Sequence, residues 1–74
     1  MFQWVNDNYK IDFPVPLIVT NTMIEAEEAD LNNEYGEYIG IADALDTLAK
    51  TCYTGKEITK EQWHIITKRY PVDV

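Results

Sequence analysis

Glu61, His64 and Cys52 have side chains that often do chemistry in proteins, but each lacks the partners that this chemistry needs. Glu61 and His64 have the Glu-x-x-His spacing of half a di-iron site, yet His64 is the only histidine and a second half-site is required. Cys52 is the only cysteine, so it has no disulfide partner within the chain. We therefore expect a solvent-facing or hydrogen-bonded His64, and a Cys52 that is a buried structural thiol.

The segment from Asp30 to Ile41 begins like the calcium-binding loop of an EF-hand, with oxygen ligands at alternate positions. The sixth position of that loop needs glycine and the twelfth needs glutamate, but Tyr35 and Ile41 stand there. We therefore predict no metal site and no cofactor. Because no paired acid and base remain, we also expect that the protein is not an enzyme.

Acidic residues dominate the middle of the chain. Between Lys10 and Lys50 there is no Lys or Arg, and nine acids lie in that window: Asp12, Glu25, Glu27, Glu28, Asp30, Glu34, Glu37, Asp43 and Asp46. Residues 1–49 carry a net charge of −9 and residues 50–74 a net charge of +2. A field of one sign attracts basic partners and repels nucleic acid and anionic membranes. We therefore predict a basic protein surface as partner, with no direct binding to nucleic acid or to a membrane.

Four of these acids have the spacing of one helix face, at intervals of three, four and three residues: Glu27, Asp30, Glu34 and Glu37. None of the four has a base three or four residues away, so their mutual repulsion is uncompensated. A row of carboxylates approximates the anion spacing of nucleic acid, roughly one charge per 3.4 Å of axis per strand. We predict that this acidic stripe binds the partner, with Glu28 and Asp43 at its flanks. The alternative is a solvated face that only keeps the protein in solution.

The length of 74 residues and the apolar fraction of 46% indicate one small globular domain, residues 1–74. A single cysteine suits a reducing compartment, and no apolar run reaches the ~20 residues of a membrane span. The first ten residues lack the basic and apolar regions of a signal peptide. We therefore expect a cytoplasmic protein.

Alternating apolar residues on either side of a turn, Asn6-Asp7-Asn8, predict a β-hairpin with strands at 2–5 and 9–13. The apolar run at 17–19 is predicted to cross the core in extended form. The whole segment 1–20 is thus expected to contain a hairpin followed by extended chain.

A helical pattern follows at 22–53. Thr22 and Glu25 have the spacing of a capping box, and seven-residue spacing is kept along an apolar row: Ile24, Leu31, Tyr38, Leu45 and Cys52. This predicts one acidic helix of about 30 residues, ~45 Å long, with Gly55 just past its end. Asn and Gly residues make 32–37 a weak point in this one helix, and the sequence leaves open whether the helix kinks or breaks there.

A second capping box, Thr59 and Gln62, predicts a C-terminal helix at 59–70 that Pro71 ends. The predicted fold is α+β, with a short N-terminal β-hairpin packed on one long helix and a shorter C-terminal helix. An all-α small helical bundle is the alternative, if residues 1–13 are irregular.

In size and charge the chain resembles the small acidic proteins that bacteriophages encode to disable host defence, such as anti-CRISPR and anti-restriction proteins. That resemblance implies a non-enzymatic inhibitor that mimics nucleic acid and occupies a basic groove of a nucleic-acid-binding enzyme. Two alternatives stay open. One is a small self-associating structural or regulatory subunit, for which a homodimer is expected; the other is an immunity-type antidote to a basic toxin.

Overall fold

The computed structural model describes residues 1–73 and contains three helices: α1 (Leu17–Leu31), α2 (Tyr35–Thr54) and α3 (Lys60–Arg69). α2 packs against both α1 and α3. No strand occurs among the described residues, so the α+β prediction is wrong and the all-helical alternative is what the structure shows. The chain is a small all-helical fold with an irregular N-terminal segment, residues 1–16.

The N-terminal segment forms no hairpin, and four of its backbone N–H groups donate to the helices instead of to a neighbouring strand. The N–H groups of Gln3, Trp4 and Val5 all donate to the carboxylate of Asp30 in α1. Further along, the N–H of Asn6 donates to the carbonyl of Arg69 at the end of α3. The alternating apolar residues therefore belong to an irregular segment whose side chains pack against the helices. We call this segment, residues 1–16, the strap. The strap contributes Val5 to the core, with Phe2, Trp4, Ile11 and Phe13 packed against it.

The predicted long helix is two helices, α1 and α2. Asn33 has a φ of 59°, in the left-handed region, and reverses the chain direction after α1. The N–H of Glu34 donates to the carbonyl of Ala29, and that of Asn33 donates to the carbonyl of Asp30. These two bonds form a Schellman motif, which satisfies the last carbonyls of the helix. The break therefore falls within 32–37, where the sequence marked a weak point.

The same motif ends α2, although glycine does not take the left-handed position. Lys56 has a φ of 64°, and its neighbour Gly55 is the C-cap with a φ of −80°. The N–H of Glu57 donates to the carbonyl of Cys52, and that of Lys56 donates to the carbonyl of Tyr53. The helix ends where the sequence predicted, but Lys56, and not Gly55, has the strained left-handed backbone.

α1 begins five residues earlier than predicted, at Leu17 directly after Pro16. Thr22 is no cap, because its hydroxyl donates to the carbonyl of Ile18 one turn earlier in the same helix. The segment at 17–19 is therefore helical and not extended. Only Val19 of the three enters the core, since Leu17 and Ile18 are exposed.

α3 begins as the sequence predicts. The hydroxyl of Thr59 accepts from the N–H of Gln62, and the side chain of Gln62 accepts from the N–H of Thr59. The predicted capping box is therefore confirmed, and the helix ends at Arg69, two residues before Pro71.

The core lies along the inward face of α2. Residues of α2 at helical spacing are fully buried: Tyr38, Ala42, Leu45 and Ala49. Ile24 and Leu31 belong to the same predicted row, but they are exposed. The break at 32–34 rotates α1 relative to α2, so one apolar row in the sequence becomes two rows that face different ways.

Candidate functional site

Asp30, the second residue of the predicted acidic stripe, lies inside the protein. Its side chain is 0% exposed, and its two carboxylate oxygens accept the three N–H bonds of the N-terminal segment, each 2.8 Å long. Burial alone would raise the pKa of Asp30, but these bonds and the N-terminal ammonium lower it below its usual value. Asp30 is therefore a charged anchor for the strap and does not contact a partner directly.

Glu27, the first residue of the stripe, is engaged with the end of α3. It accepts a short hydrogen bond from the hydroxyl of Tyr70 and lies 3.6 Å from the guanidinium of Arg69. Arg69 also contacts Asp7 and donates to the carbonyl of Tyr9, so one cation ties together α1, α3 and the N-terminal segment. The carboxylate of Glu27 thus links α1 to the end of α3.

Glu34 and Glu37, the other two residues of the stripe, lie exposed at the start of α2. They line a shallow groove of about 220 Å³ between the end of α1 and the start of α2. Glu28, a predicted flank, and Glu25 line the same groove, with Ala29, Asn32 and Ile41 completing it. We call this cleft the acidic groove, defined by the carboxylates of Glu25, Glu28, Glu34 and Glu37.

Asp43, the other predicted flank, lies apart from the groove. It is exposed, but it stands six residues from Glu37 and so faces roughly 120° away around α2. The structure therefore brings together Glu28, Glu34 and Glu37, and separates Glu27, Asp30 and Asp43 from them. Glu25 was missed as a site residue. Its position in the acidic window could have signalled it, but only the turn at 32–34 places it across from α2.

The acidic groove suits contacts with cationic groups. Glu37 lies in the first turn of α2, where the partial positive charge of the helix N-terminus stabilises a carboxylate. No Lys or Arg lies in α1, and none lies in α2 before Lys50. Incoming Lys or Arg side chains would therefore meet carboxylates that have no basic neighbour along these helix stretches.

Cys52 and His64, whose side chains often do chemistry in proteins, do not line the acidic groove. Cys52 is buried, and its burial, together with Glu57, raises the pKa of its thiol, so little reactive thiolate forms near neutral pH. His64 is exposed beside Trp63, with 5.1 Å between the ring centroids. Within residues 1–73, no group of three or more His, Cys, Asp or Glu side chains is arranged to hold a metal ion.

A larger open cleft of about 530 Å³ lies between the N-terminal segment, α1 and the end of α3. Its walls include Phe13 and Met23, and its charged groups include Glu27 and Arg69. Lys10 also lines this cleft, while Glu27 and Arg69 bind each other, so the cleft carries charges of both signs. The acidic groove differs, because its four charged lining residues are all glutamates.

In the part of the chain that the structure describes, no helix is both long and apolar enough to cross a bilayer. No family model matches the chain, and no curated protein or solved structure matches it either.

Proposed function

We propose that this protein is a non-enzymatic inhibitor whose acidic groove occupies a basic, nucleic-acid-binding groove of a target enzyme. The observation that carries the proposal is the grouping of Glu25, Glu28, Glu34 and Glu37 on one exposed surface. The inhibitor would compete with nucleic acid for this groove, both sterically and electrostatically. This is the mode of action of the small anti-CRISPR and anti-restriction proteins that the chain resembles in size and charge.

The spacing of the groove carboxylates supports mimicry of a nucleic acid backbone. Glu25 and Glu28 are separated by three residues on α1, as are Glu34 and Glu37 on either side of the α2 start. Three residues of helix rise ~4.5 Å along the axis, which is comparable to the ~3.4 Å of axis per charge on one nucleic acid strand. Two such pairs on facing elements present two short rows of anions.

The net charge of −7 supports fast association with a basic target. Complementary fields raise association rates, and salt screens them over a Debye length of ~8 Å at physiological ionic strength. We therefore expect affinity for the target to fall steeply with salt. An immunity-type antidote to a basic toxin would share this behaviour, and the identity of the target separates the two.

The second candidate, a self-associating subunit, is favoured by one observation. Leu17, Ile24 and Leu31 on α1 are exposed, and a second copy would cover them. A dimer whose stability is insensitive to salt would favour self-association over inhibition.

The test is affinity capture of a target from a bacterial lysate with tagged protein, elution in a salt gradient and identification by mass spectrometry. The wild type is compared with Glu34→Lys plus Glu37→Lys, which reverses charge in the groove, and with Asp43→Lys plus Asp46→Lys on another face of α2. Asp30→Lys is unsuitable as a test of surface charge, since it would place a lysine in the anchor site. Circular dichroism confirms that each variant folds.

We expect the wild type and the Asp43 and Asp46 variant to retain a nucleic-acid-binding enzyme, and the Glu34 and Glu37 variant to lose it. The captured enzyme should then bind nucleic acid less tightly when the wild-type protein is added. Capture of no such enzyme, or equal loss with both variants, would contradict the proposal.

A further inference from the structure

The outward face of α1 carries a row of large aliphatic side chains. Leu17, Ile24 and Leu31 follow each other at seven-residue spacing and are 73%, 48% and 60% exposed. Seven residues are nearly two helical turns, so these side chains form a straight row about 21 Å long, which we call the apolar ridge. Ile18, 61% exposed, lies beside its N-terminal end.

The apolar ridge is not needed to attach α1 to the domain. The opposite face of the same helix packs inward through Val19, Met23, Ala26 and Ala29. Single exposed leucines are ordinary, whereas α1 aligns three large aliphatic side chains on one exposed face. Among residues 1–73, α1 thus packs inward on one face and exposes this aliphatic row, with polar residues between its members, on the opposite face.

The charges beside the apolar ridge decide which partner fits it. Glu28 lies about 40° from Ile24 around the helix, and Glu25 about 100° from it on the same side. α1 contains no Lys or Arg at all. Two copies joined through this face would bring their glutamates together at an apolar contact with no cation on either helix. That arrangement is unfavourable, since ions in a partly desolvated contact need opposite charges.

We propose that the apolar ridge is the docking site for a basic amphipathic α-helix of a partner protein. The aliphatic face of that helix would pack on Leu17, Ile24 and Leu31. Its flanking Lys or Arg side chains would pair with Glu25 and Glu28. This goes beyond inhibition through the acidic groove, because a helix binds the ridge whether or not a nucleic-acid channel is involved.

The test uses a labelled helical peptide of about 18 residues, ~27 Å long, built from Leu on one face and Lys on the other. A peptide of the same composition with scrambled order serves as the first control. Binding is measured by fluorescence anisotropy at low and physiological salt, after sedimentation has established the oligomeric state of the free protein.

Four variants locate the binding, two that change the site and two controls. Ile24→Ser plus Leu31→Ser removes the ridge, and Val72→Ser makes the same kind of change at an exposed residue after α3. Glu25→Gln plus Glu28→Gln removes the flanking charge, and Asp43→Asn plus Asp46→Asn removes equal charge on another face. We expect the ridge variant to weaken peptide binding at least about tenfold, the flank variant to weaken it and flatten its salt dependence, and both controls to stay within about twofold.

Equal binding of the ordered and scrambled peptides, or an unchanged affinity in the ridge variant, would overturn the proposal. A salt-insensitive dimer of the free protein that the ridge variant dissociates would also overturn it, and would assign the ridge to a second copy. The ridge variant keeps Glu34 and Glu37, so it should still capture the target enzyme. Loss of peptide binding with retained capture, or the reverse, separates the two proposals.

Discussion

α1 and α2 carry similar proportions of apolar residues but use them differently. α2 buries a single face that includes Tyr38 and Leu45, both 0% exposed. α1 also buries one apolar face, which includes Val19 and Met23, but it leaves Leu31 and other large aliphatics outside. Both helices therefore pack through apolar side chains, and polar bonds add to the attachment of α1.

Those polar bonds lie at two carboxylates of α1. Asp30 holds the N-terminal segment through three N–H groups, and Glu27 holds Tyr70 and Arg69 at the end of α3. Acidic side chains of a helix can therefore stabilise the fold, even when their spacing in the sequence predicts an exposed surface. Neighbouring acids on one helix can therefore have different roles, since Glu27 binds Tyr70 and Arg69 whereas Glu28 lines the acidic groove.

Leu45→Ala on α2 should have the largest effect on stability. Removal of a fully buried leucine leaves a cavity, and the free energy of unfolding should fall by about 2–5 kcal/mol. Leu31→Ala on α1 is the matched control, and we expect a change within about 0.5 kcal/mol because this side chain is mostly exposed. Urea unfolding followed by circular dichroism measures both. Equal losses would mean that Leu31 is covered in solution, and would break the contrast between the helices.

Asp30→Asn should have the next largest effect, because the neutral amide offers one acceptor oxygen to three N–H donors. We expect a loss of about 2–3 kcal/mol at neutral pH, with faster hydrogen exchange at the N–H groups of Gln3 and Trp4. Asp43→Asn, at an exposed acid, is the control and should change little.

The same residue predicts a dependence of stability on pH. The pKa of Asp30 is lower in the folded protein than its usual 3.8, so its stabilising contribution is present above about pH 4. It is lost as the pH falls through the folded value. Asp30→Asn should therefore lose less stability than the wild type between pH 5 and pH 2, and a parallel decline in both proteins would contradict this role.

Tyr70→Phe should have the smallest of these effects, about 1 kcal/mol, because it removes one hydroxyl that donates to Glu27 and accepts from Arg69. Burial and Glu27 raise the pKa of Tyr70 above its usual 10. Its contribution is therefore present below about pH 10 and lost at higher pH in the wild type alone. Tyr53→Phe is the control at a half-buried tyrosine, and thermal unfolding at pH 7 and pH 10.5 measures both. A change no larger than that control would show that Glu27 holds α1 without Tyr70.

Local signals in the sequence were sufficient where local interactions decide the structure. The capping box at Thr59 and Gln62 depends only on residues three apart, and it forms as predicted. The buried row of α2 also follows from its own helical period. The break within 32–37 was marked by poor helix formers, but its direction depends on the left-handed backbone at Asn33.

The prediction of an N-terminal hairpin failed because alternation does not show what satisfies the backbone. A strand partner and a buried carboxylate both accept N–H bonds, and Asp30 lies 25 to 27 residues away from the groups it binds. The acidic stripe was assigned as one surface for a related reason. Spacing gives the angle around a single continuous helix, and the turn before α2 ended that continuity.

The sequence by itself determined the charge segregation, the helical period of α2 and the start of α3, because each depends on composition or on near neighbours. Only the tertiary structure decided which acids are inside. Asp30 and Glu34 are four residues apart with the same charge, yet one anchors the N-terminal segment and the other lines the acidic groove. Burial depends on what packs against a residue. For Asp30 that is the backbone of residues 3–5, which lie far from it in the sequence.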